Sequence, residues 1–276
     1  MDTQTNEKYT ALKANLSQYD SVIIAFSGGI DSSLVAFVAG EVLGKQALAV
    51  TSASASLKRA DLALAEKLAQ DWGIEHRVIV TDELSKADYR ANPTNRCFHC
   101  KTSLYTYLDE MAASGDVQVV LNGTNLDDLG DHRPGLIAAD NFEVRSPLVE
   151  TGFHKSDIRA LANALGLENA DKPQAACLSS RFPYGTHITL ELLAQVEAAE
   201  EVLADMGFTQ FRVRHHGEVA RLEVPANELQ KAVTRHDELQ QRVQATGYAY
   251  VALDLGGFRS GSLNEGLADI QVVEIH

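Results

Sequence analysis

The chain has 276 residues, of which 45% are hydrophobic and 22% charged, the proportions of a globular protein long enough to bury a large core. Its 38 acidic and 24 basic residues give a formal net charge of −14, which disfavours nucleic acid as a partner and favours a small molecule. The sequence has no apolar run of membrane-spanning length and no signal-peptide pattern at its start, so we expect a cytoplasmic protein without a membrane partner.

A short apolar strand that runs into a glycine-rich turn dominates the first predicted elements. A helix is predicted over residues 7–19, and the apolar run Val22–Phe26 after it suits a buried strand and is too short for a helix. Gly28 and Gly29 end this strand, and a helical pattern begins at Asp31. Backbone N–H groups of a glycine turn, together with the positive end of a helix dipole, bind phosphate oxygens. The sequence therefore predicts an anion site at this turn.

The residues of this turn match a nucleotide-binding signature. Residues 27–32 read Ser-Gly-Gly-Ile-Asp-Ser, which fits neither the P-loop of kinases nor the dinucleotide fingerprint. They resemble the motif of the PP-loop ATP pyrophosphatases, enzymes that cleave ATP to AMP and pyrophosphate while adenylating a carboxylate or carbonyl oxygen. A tight turn capped by Asp31 is the structural alternative. The resemblance implies a catalytic Asp31 and a set of ATP-binding residues, namely Ser27, Gly28, Gly29, Asp31 and Ser32.

Helical and strand patterns alternate in the part of the chain that follows. Strands are predicted at residues 47–51, 77–80 and 117–121, and helices at residues 57–72 and after Cys97. This alternation indicates an α/β domain built on a parallel sheet with right-handed crossovers. Ligands of such sheets lie beyond the carboxyl ends of the strands, which is also where the glycine turn falls.

Two polar segments follow strands of this predicted sheet. Ser52 begins the polar segment after the second strand, and the PP-loop resemblance implies that this segment holds adenine through backbone contacts. Residues 122–128 follow the fourth strand, read Asn-Gly-Thr-Asn-Leu-Asp-Asp and resemble the second PP-loop motif, with Gly123 in the turn. Carboxylates such as Asp127 and Asp128 can bind Mg²⁺, which neutralises a pyrophosphate leaving group. A simple polar turn is the alternative.

The pattern changes after a helix predicted over residues 155–165. We expect a PP-loop ATP-binding domain over residues 1–170 and a small α+β domain for substrate binding or oligomerisation over residues 171–276. The second domain opens with an irregular segment, Cys177–Gly185, of the kind in which functional residues concentrate. Its predicted elements are a helix over 189–206, strands over 211–215 and 219–224, a helix over about 227–245 and a strand over 248–253.

Charged residues, arginine and glutamate, alternate with apolar residues along two predicted strands of the second domain. Arg212 and Arg214 on the first strand would share a polar face with Arg221 and Glu223 on the second if the strands pair. Guanidinium groups bind phosphate and carboxylate through paired donors, so this face is a candidate anion site. Surface ion pairing with neighbouring glutamates is the alternative.

Three cysteines, an odd number, argue against a disulfide framework. Cys97 and Cys100 have Cys-x-x-Cys spacing, which alone fits zinc, a redox pair or an iron–sulfur cluster. Together with Cys177 they fit a cluster with three protein ligands and one open iron. Ordinary buried thiols are the structural alternative.

Several segments together resemble one particular family. They are the PP-loop at 27–32, the run Cys-Leu-Ser-Ser-Arg-Phe-Pro-Tyr-Gly at 177–185, the pair Arg212 and Arg214, and the run Leu-Asp-Leu-Gly-Gly-Phe-Arg-Ser-Gly at 253–261. Over essentially the whole chain they resemble the LarE family, ATP-dependent sulfur transferases that make the nickel-pincer nucleotide cofactor of lactate racemase. The resemblance implies adenylation of a carboxylate of pyridinium-3,5-dicarboxylic acid mononucleotide and then insertion of sulfur as a thiocarboxylate.

The same resemblance implies the sulfur source and the substrate contacts. One branch of the family consumes a single cysteine, whereas another holds a 4Fe–4S cluster on three cysteines and donates a sulfide carried by the open iron. Cys97, Cys100 and Cys177 match the second branch as metal ligands and catalytic residues, and Ala176 stands where the first branch is expected to have its cysteine. The implied cofactors are ATP, Mg²⁺ and the cluster, in a homo-oligomer. The implied substrate-binding residues are Ser180, Arg181, Arg212, Arg214, Glu200 and Glu223.

Other functions stay open from the residues alone. A tRNA-thiolating PP-loop enzyme also uses three cluster cysteines, but it calls for a basic RNA-binding face that the charge balance disfavours. An ammonia-dependent amidating synthase would leave the cysteines idle. A non-catalytic nucleotide-binding or iron–sulfur carrier module would not need Asp31, Asp127 and Asp128.

Overall fold

The computed structural model describes residues 2–115, 117–129, 134–173, 176–259 and 261–263. The chain forms two compact units. The first comprises Met1–Tyr89 and Thr94–Ala175, and the second comprises Arg90–Pro93 and Ala176–His276.

Helices and strands alternate in the first part of the chain. In chain order they are α1 (Thr3–Leu16), β1 (Val22–Ala25), α2 (Ile30–Leu43), β2 (Ala47–Ser52), α3 (Arg59–Trp72), β3 (Glu75–Ile79), α4 (Ala87–Arg90), α5 (Arg96–Gly115), β4 (Val119–Leu121), α6 (Pro134–Asn141), α7 (Pro147–Glu150) and α8 (Lys155–Ala164).

The strands of the first unit form one parallel sheet with the order β3-β2-β1-β4. All residues of β1 are buried, as expected of a central strand covered by helices on both faces. The predicted parallel α/β fold is confirmed. Because β1 lies between β2 and β4, the glycine turn after β1 emerges from the middle of the sheet at its carboxyl edge.

Helix boundaries follow the glycine signals closely, whereas several other boundaries differ from expectation. Helix α2 ends before Gly44, and α3 ends before Gly73, whose φ of 66° is the left-handed conformation that glycine adopts easily. The edge strand β3 is largely exposed, so its apolar residues marked its position poorly. Beyond these strands, Leu121 of β4 forms an isolated parallel bridge with Arg145.

The second unit packs helices against a small sheet. Strand β5 pairs with β6 antiparallel, and β6 pairs with β7 in parallel, which gives the order β5-β6-β7. The helix expected over about 227–245 is divided into two helices at Arg235. No helix in the described part of the chain is long and apolar enough to cross a membrane. The elements of this unit are α9 (Leu190–Asp205), β5 (Arg212–His216), β6 (Val219–Glu223), α10 (Leu229–Thr234), α11 (His236–Gln244) and β7 (Tyr250–Leu253).

Candidate active site

The glycine turn after β1 is fastened to the first turn of α2. The Ser27 N–H donates to Ser32 Oγ at 3.2 Å, and that hydroxyl donates to the Gly29 carbonyl at 3.1 Å. Gly28 has a φ of +68°, and a Cβ built there would lie 3.2 Å from the Cβ of Ala65 on α3. Backbone conformation and close packing therefore both require glycine at this position.

The N-terminus of α2 is open toward the turn. Gly29 is the N-cap residue of α2, and because it has no side chain it makes no capping hydrogen bond. The first N–H groups of a helix have no partners within the helix, and the dipole adds partial positive charge there. The turn therefore has the open helix N-terminus that phosphate binding requires, and phosphate binding itself stays a prediction from the sequence.

The second motif lies directly against the first. A Cβ built on Gly123 would lie 2.5 Å from the Ser32 nitrogen and 2.8 Å from its Cα, so only glycine fits between β4 and α2. The motif then forms a short 3₁₀ turn, Leu126–Asp128, whose N-cap is Asn125. Asn125 Oδ1 accepts from the Asp127 N–H at 3.0 Å, and its Nδ2 lies 3.4 Å from Asp31 Oδ1. The structure thus brings the two predicted ATP motifs together.

Asp31 forms an ion pair with Lys155, the first residue of α8. Both side chains are partly exposed, so the pair is accessible from outside the protein. The Lys155 backbone N–H also donates to Asp127 Oδ2 at 2.6 Å, and His154 Nδ1 lies 2.8 Å from Asp127 Oδ1. Lys155 is therefore bonded to both predicted carboxylates, one through its side chain and the other through its backbone.

Asp127 is held in its ionised form. The backbone N–H of Lys155, and then the His154 side chain, keep the pKa of the Asp127 carboxyl below its usual range. Asp128 accepts from the backbone N–H of Asn125 at 3.2 Å and closes the capping box of the turn. Both carboxylates have the oxygen chemistry that Mg²⁺ prefers.

Ser52 ends β2 at the same edge of the sheet. Its hydroxyl lies 2.6 Å from the Thr81 hydroxyl, while the next N–H, that of Ala53, donates to the Ile79 carbonyl at 2.7 Å. Because the Ser52 side chain pairs with Thr81, contacts from this segment to a nucleotide would come mainly from its backbone.

The three cysteines are thiols on two different types of local structure. Cys97 is exposed and Cys100 half-buried, and both lie in the first two turns of α5, where positions three apart share one helix face. Cys177 is half-buried and precedes the 3₁₀ turn Leu178–Arg181. Among the described residues, no three cysteine, histidine, aspartate or glutamate side chains come together in a group that could hold a metal ion.

Arg181 is buried and fastens the segment after Cys177 to α9. Its Nε and one terminal nitrogen donate to the two carboxylate oxygens of Glu200 at 2.8 and 3.1 Å. Its other terminal nitrogen donates to the Ala176 carbonyl at 2.8 Å and to the Ser180 hydroxyl at 2.9 Å. The donors of Arg181 are thus occupied within the second unit.

Arg214 makes the corresponding pair on the small sheet. It donates to both carboxylate oxygens of Glu223 at 3.0 Å, to the Ser180 carbonyl at 2.6 Å and to the Ser262 hydroxyl at 2.7 Å. This two-point geometry explains how two charges can lie in the interior of the unit. The pairing with Glu200 and Glu223 is therefore internal, and not on the surface as the alternative supposed.

Arg212 differs from these two arginines. It is only 8% exposed and stacks on the Phe258 ring with 4.8 Å between guanidinium carbon and ring centre. In the described part of the chain its guanidinium has neither a hydrogen bond nor an ion pair. Burial, and then the charges of Arg181 and Arg214, lower the pKa of Arg212 to about 10, so it remains a cation at neutral pH. Among the three arginines, Arg212 therefore has the guanidinium that is least engaged by other side chains.

Comparisons with known proteins bear on this site directly. The family model described as asparagine synthase matches residues 9–131, the region that carries both ATP motifs. A pyridinium-3,5-bisthiocarboxylic acid mononucleotide synthase of Lactiplantibacillus plantarum is 39% identical over 273 residues, which cover 99% of this chain and 99% of that protein. The chain belongs to the LarE family.

Two uncharacterised proteins share the LarE-type sequence. One from Synechocystis sp. is 44% identical over 262 residues, covering 94% of this chain and 98% of that protein. One from Methanocaldococcus jannaschii is 30% identical over 257 residues, covering 92% of this chain and 98% of that protein. Family membership confirms the predicted PP-loop architecture, and this LarE-family protein is an ATP-dependent sulfurtransferase.

Three residues that contact the predicted ATP motifs were not predicted from the sequence, namely Asn125, His154 and Lys155. Lys155 and Asp31 are separated by 124 positions, so no local spacing indicates their pairing. One signal was present, because a lysine at the first position of a helix opposes the helix dipole. Such a residue calls for a nearby anion, and the structure supplies Asp31.

Proposed function

We propose that this LarE-family enzyme adenylates a carboxylate of pyridinium-3,5-dicarboxylic acid mononucleotide, releases pyrophosphate and then inserts sulfur to give a thiocarboxylate. The observation that carries the proposal is full-length similarity to a protein named as the synthase of the corresponding bisthiocarboxylic acid mononucleotide. The product would enter biosynthesis of the nickel-pincer nucleotide cofactor.

The ATP half of the reaction is assigned to the first unit. Backbone N–H groups of Gly28, Gly29 and the start of α2 bind phosphate oxygens, and Lys155 adds a cation beside Asp31. Asp127 and Asp128 are the residues proposed to hold Mg²⁺, which when bound would neutralise the pyrophosphate leaving group. Adenylation replaces a poor leaving group, oxide, by AMP.

The substrate half is assigned to Arg212 and its neighbours. A mononucleotide with a phosphate and two carboxylates needs a cationic site on a chain whose net charge is −14. Arg212 offers a buried guanidinium that makes no ion pair or hydrogen bond in the described part of the chain, with Glu200 and Glu223 acting on it only at longer range. Arg181 and Arg214 are proposed to position the Ser180 segment through their pairs with Glu200 and Glu223.

Sulfur is proposed to come from a 4Fe–4S cluster on Cys97, Cys100 and Cys177. Two of these thiols share one face of α5, and none of the three is fully buried. A bound cluster would supply a sulfide that is nucleophilic at neutral pH without a general base. Attack on the acyl carbon would break its bond to AMP and form the carbon–sulfur bond.

The experiment uses protein purified without oxygen and reconstituted with iron and sulfide. Wild-type protein is expected to release pyrophosphate only when ATP, Mg²⁺ and the mononucleotide are all present, with a thiocarboxylate product by mass spectrometry. Cys97→Ala, Cys100→Ala and Cys177→Ala are each expected to lose the electron paramagnetic resonance signal of the reduced cluster and the thiocarboxylate, while adenylation continues. Formation of thiocarboxylate by iron-free protein would refute the cluster as the sulfur source. Formation of an amide from ammonium would refute sulfur transfer as the reaction.

Arg212 is tested separately from the sulfur chemistry. Arg212→Ala is expected to raise the KM for the mononucleotide about 100-fold because it removes a charged hydrogen-bond donor pair, with the KM for ATP unchanged. Arg212→Lys keeps the charge but not the paired donors, so we expect an intermediate KM. Equal effects on both substrates would contradict a role in mononucleotide binding.

We also propose from the family resemblance that the protein is a homo-oligomer. Analytical ultracentrifugation tests this proposal.

A further inference from the structure

We propose that Asn169 is a positioning residue that sets the direction of the phosphate-binding peptide in the glycine turn. Asn169 is 3% exposed, and its Nδ2 donates to the Gly28 carbonyl at 3.0 Å and to Ser33 Oγ at 2.8 Å. It follows α8 in sequence and lies 141 positions from Gly28. The inference rests on the ATP chemistry proposed above and adds a residue to it.

The orientation of the Asn169 amide is fixed by its partners. The Gly28 carbonyl only accepts hydrogen bonds, so the side-chain atom that faces it has to be the donor, Nδ2. The amide oxygen Oδ1 is then buried, with no hydrogen-bond partner among the described residues. A buried polar atom without a hydrogen-bond partner destabilises the folded protein. We take the presence of Asn169 despite this cost as a sign that the bonds of its Nδ2 have a function.

The task follows from the geometry of a peptide bond. In a trans peptide the carbonyl and the N–H point in opposite directions, so holding the Gly28 carbonyl toward Asn169 turns the Gly29 N–H away from it. That N–H lies toward Ser27, with 3.4 Å between nitrogen and Oγ, a long hydrogen bond that a phosphate oxygen could replace. Two consecutive glycines give the peptide little stiffness of their own, so an external bond has to set its direction.

Asn169 is itself held firmly by its segment. Leu167 and Ala170 on either side belong to the hydrophobic core of the first unit. The Asn169 carbonyl accepts from the Lys172 N–H at 3.1 Å, and the Lys172 side chain forms an ion pair with Asp61 of α3 at 2.8 Å. The amide is therefore preorganised before any nucleotide binds, which is what a positioning residue requires.

The test compares Asn169→Asp, Asn169→Ala and a control, Asn163→Ala, which changes an exposed asparagine of α8. We measure the KM for ATP and kcat for pyrophosphate release at a temperature at which circular dichroism shows every variant to be folded. Asn169→Ala is expected to lower kcat/KM for ATP about 10- to 100-fold, with the KM for the mononucleotide unchanged. Asn163→Ala should match the wild type.

The order of the two substitutions separates positioning from packing. Aspartate has nearly the shape of asparagine but sets an oxygen against the Gly28 carbonyl, so we expect Asn169→Asp to be worse than Asn169→Ala. A purely packing role predicts the reverse order, and that order or wild-type kinetics in Asn169→Asp would overturn the inference. If the Asn169 variants do not fold, Ser33→Ala is the substitute, because it removes one of the two acceptors of the Asn169 amide. We expect Ser33→Ala to raise the KM for ATP about 3-fold. An unchanged KM would count against the positioning role.

A separate readout keeps this inference apart from the proposed function. Calorimetric binding of a non-hydrolysable ATP analogue needs neither the mononucleotide nor a sulfur donor. If the wild type releases no pyrophosphate with the mononucleotide, the proposed function fails, and weaker analogue binding by Asn169→Asp would still support the positioning role. If analogue binding is equal in wild type and Asn169→Asp, the positioning role fails whatever the substrate is.

Discussion

Asp31 and Asp127 depend on one lysine for their placement. Lys155 binds the first through its side chain and the second through its backbone N–H, so one residue fixes both carboxylates at the carboxyl edge of the sheet. A lysine beside the glycine turn would also supply positive charge where the proposed ATP cleavage develops negative charge. Its energetic role is therefore expected to be larger in the transition state than in the resting protein.

Replacement of Lys155 tests this role. We expect Lys155→Ala to lower kcat for ATP-dependent pyrophosphate release about 100-fold, since a positioned cation on a phosphate is lost. The Lys155 backbone bond to Asp127 persists in this variant, which limits the structural change. Lys67→Ala is the control, because Lys67 of α3 forms exposed ion pairs with Asp71 and Glu168, and its loss should leave kcat within about twofold. Equal kcat in the two variants would refute a catalytic role for Lys155.

Glu83 is a residue whose environment does not suit its charge. It is 1% exposed, and neither carboxylate oxygen has a hydrogen-bond partner among the described residues. Burial of such a group costs free energy that no hydrogen bond to its side chain offsets in the described part of the chain. We therefore expect Glu83→Met to raise the free energy of unfolding by about 1–3 kcal/mol, measured by urea titration.

The control for this stability change is Glu75→Met. Glu75 is exposed at the start of β3, and its replacement should alter the free energy of unfolding by less than about 0.5 kcal/mol. Destabilisation by Glu83→Met would show that Glu83 has a partner in the folded protein.

Among the elements, the strand–turn–helix unit was predictable and its supports were not. The apolar run of β1, the glycines and the start of α2 are all local signals, so the sequence places them within a residue or two. Asn125, Lys155 and Asn169 support that unit from distant positions, and no local pattern encodes such contacts. The predicted start of β3 was wrong by two residues for a different reason. An edge strand that is largely exposed shows little alternation of apolar and polar residues.

The contact between β4 and α2 gives a prediction at this scale. Gly123→Ala would place a methyl carbon within 2.5 Å of the Ser32 nitrogen, so the two ATP motifs have to separate. We expect a loss of about 1–3 kcal/mol in the free energy of unfolding and a fall in pyrophosphate release larger than the stability loss explains. Gly115→Ala, where the nearest atom is 3.6 Å from the new carbon, should change neither quantity. Wild-type activity in Gly123→Ala would show that the motifs do not act together.

At the scale of the whole molecule, charge and burial separate two kinds of arginine. The sequence predicts that Arg212, Arg214 and Glu223 share a face of the small sheet, and their register confirms this. Strand alternation alone does not show what covers a face, so the burial of Arg214 against Glu223 was not predictable. Because these arginines are buried, they provide little of the accessible positive charge that nucleic acid requires.

This distribution of charge predicts that the protein does not bind tRNA. Non-specific binding to nucleic acid depends on accessible Lys and Arg that replace counterions, and here 38 acidic residues outnumber 24 basic ones. We expect no change in the fluorescence anisotropy of labelled tRNA up to about 100 µM protein near physiological salt, whereas a basic control protein such as polylysine binds. Low-micromolar binding that weakens steeply with added salt would instead favour tRNA thiolation over a mononucleotide substrate. If tRNA does bind, the same titration with Arg212→Ala shows which residues hold it. Binding by a face of surface residues should survive the loss of this buried arginine, whereas binding through Arg212 should weaken.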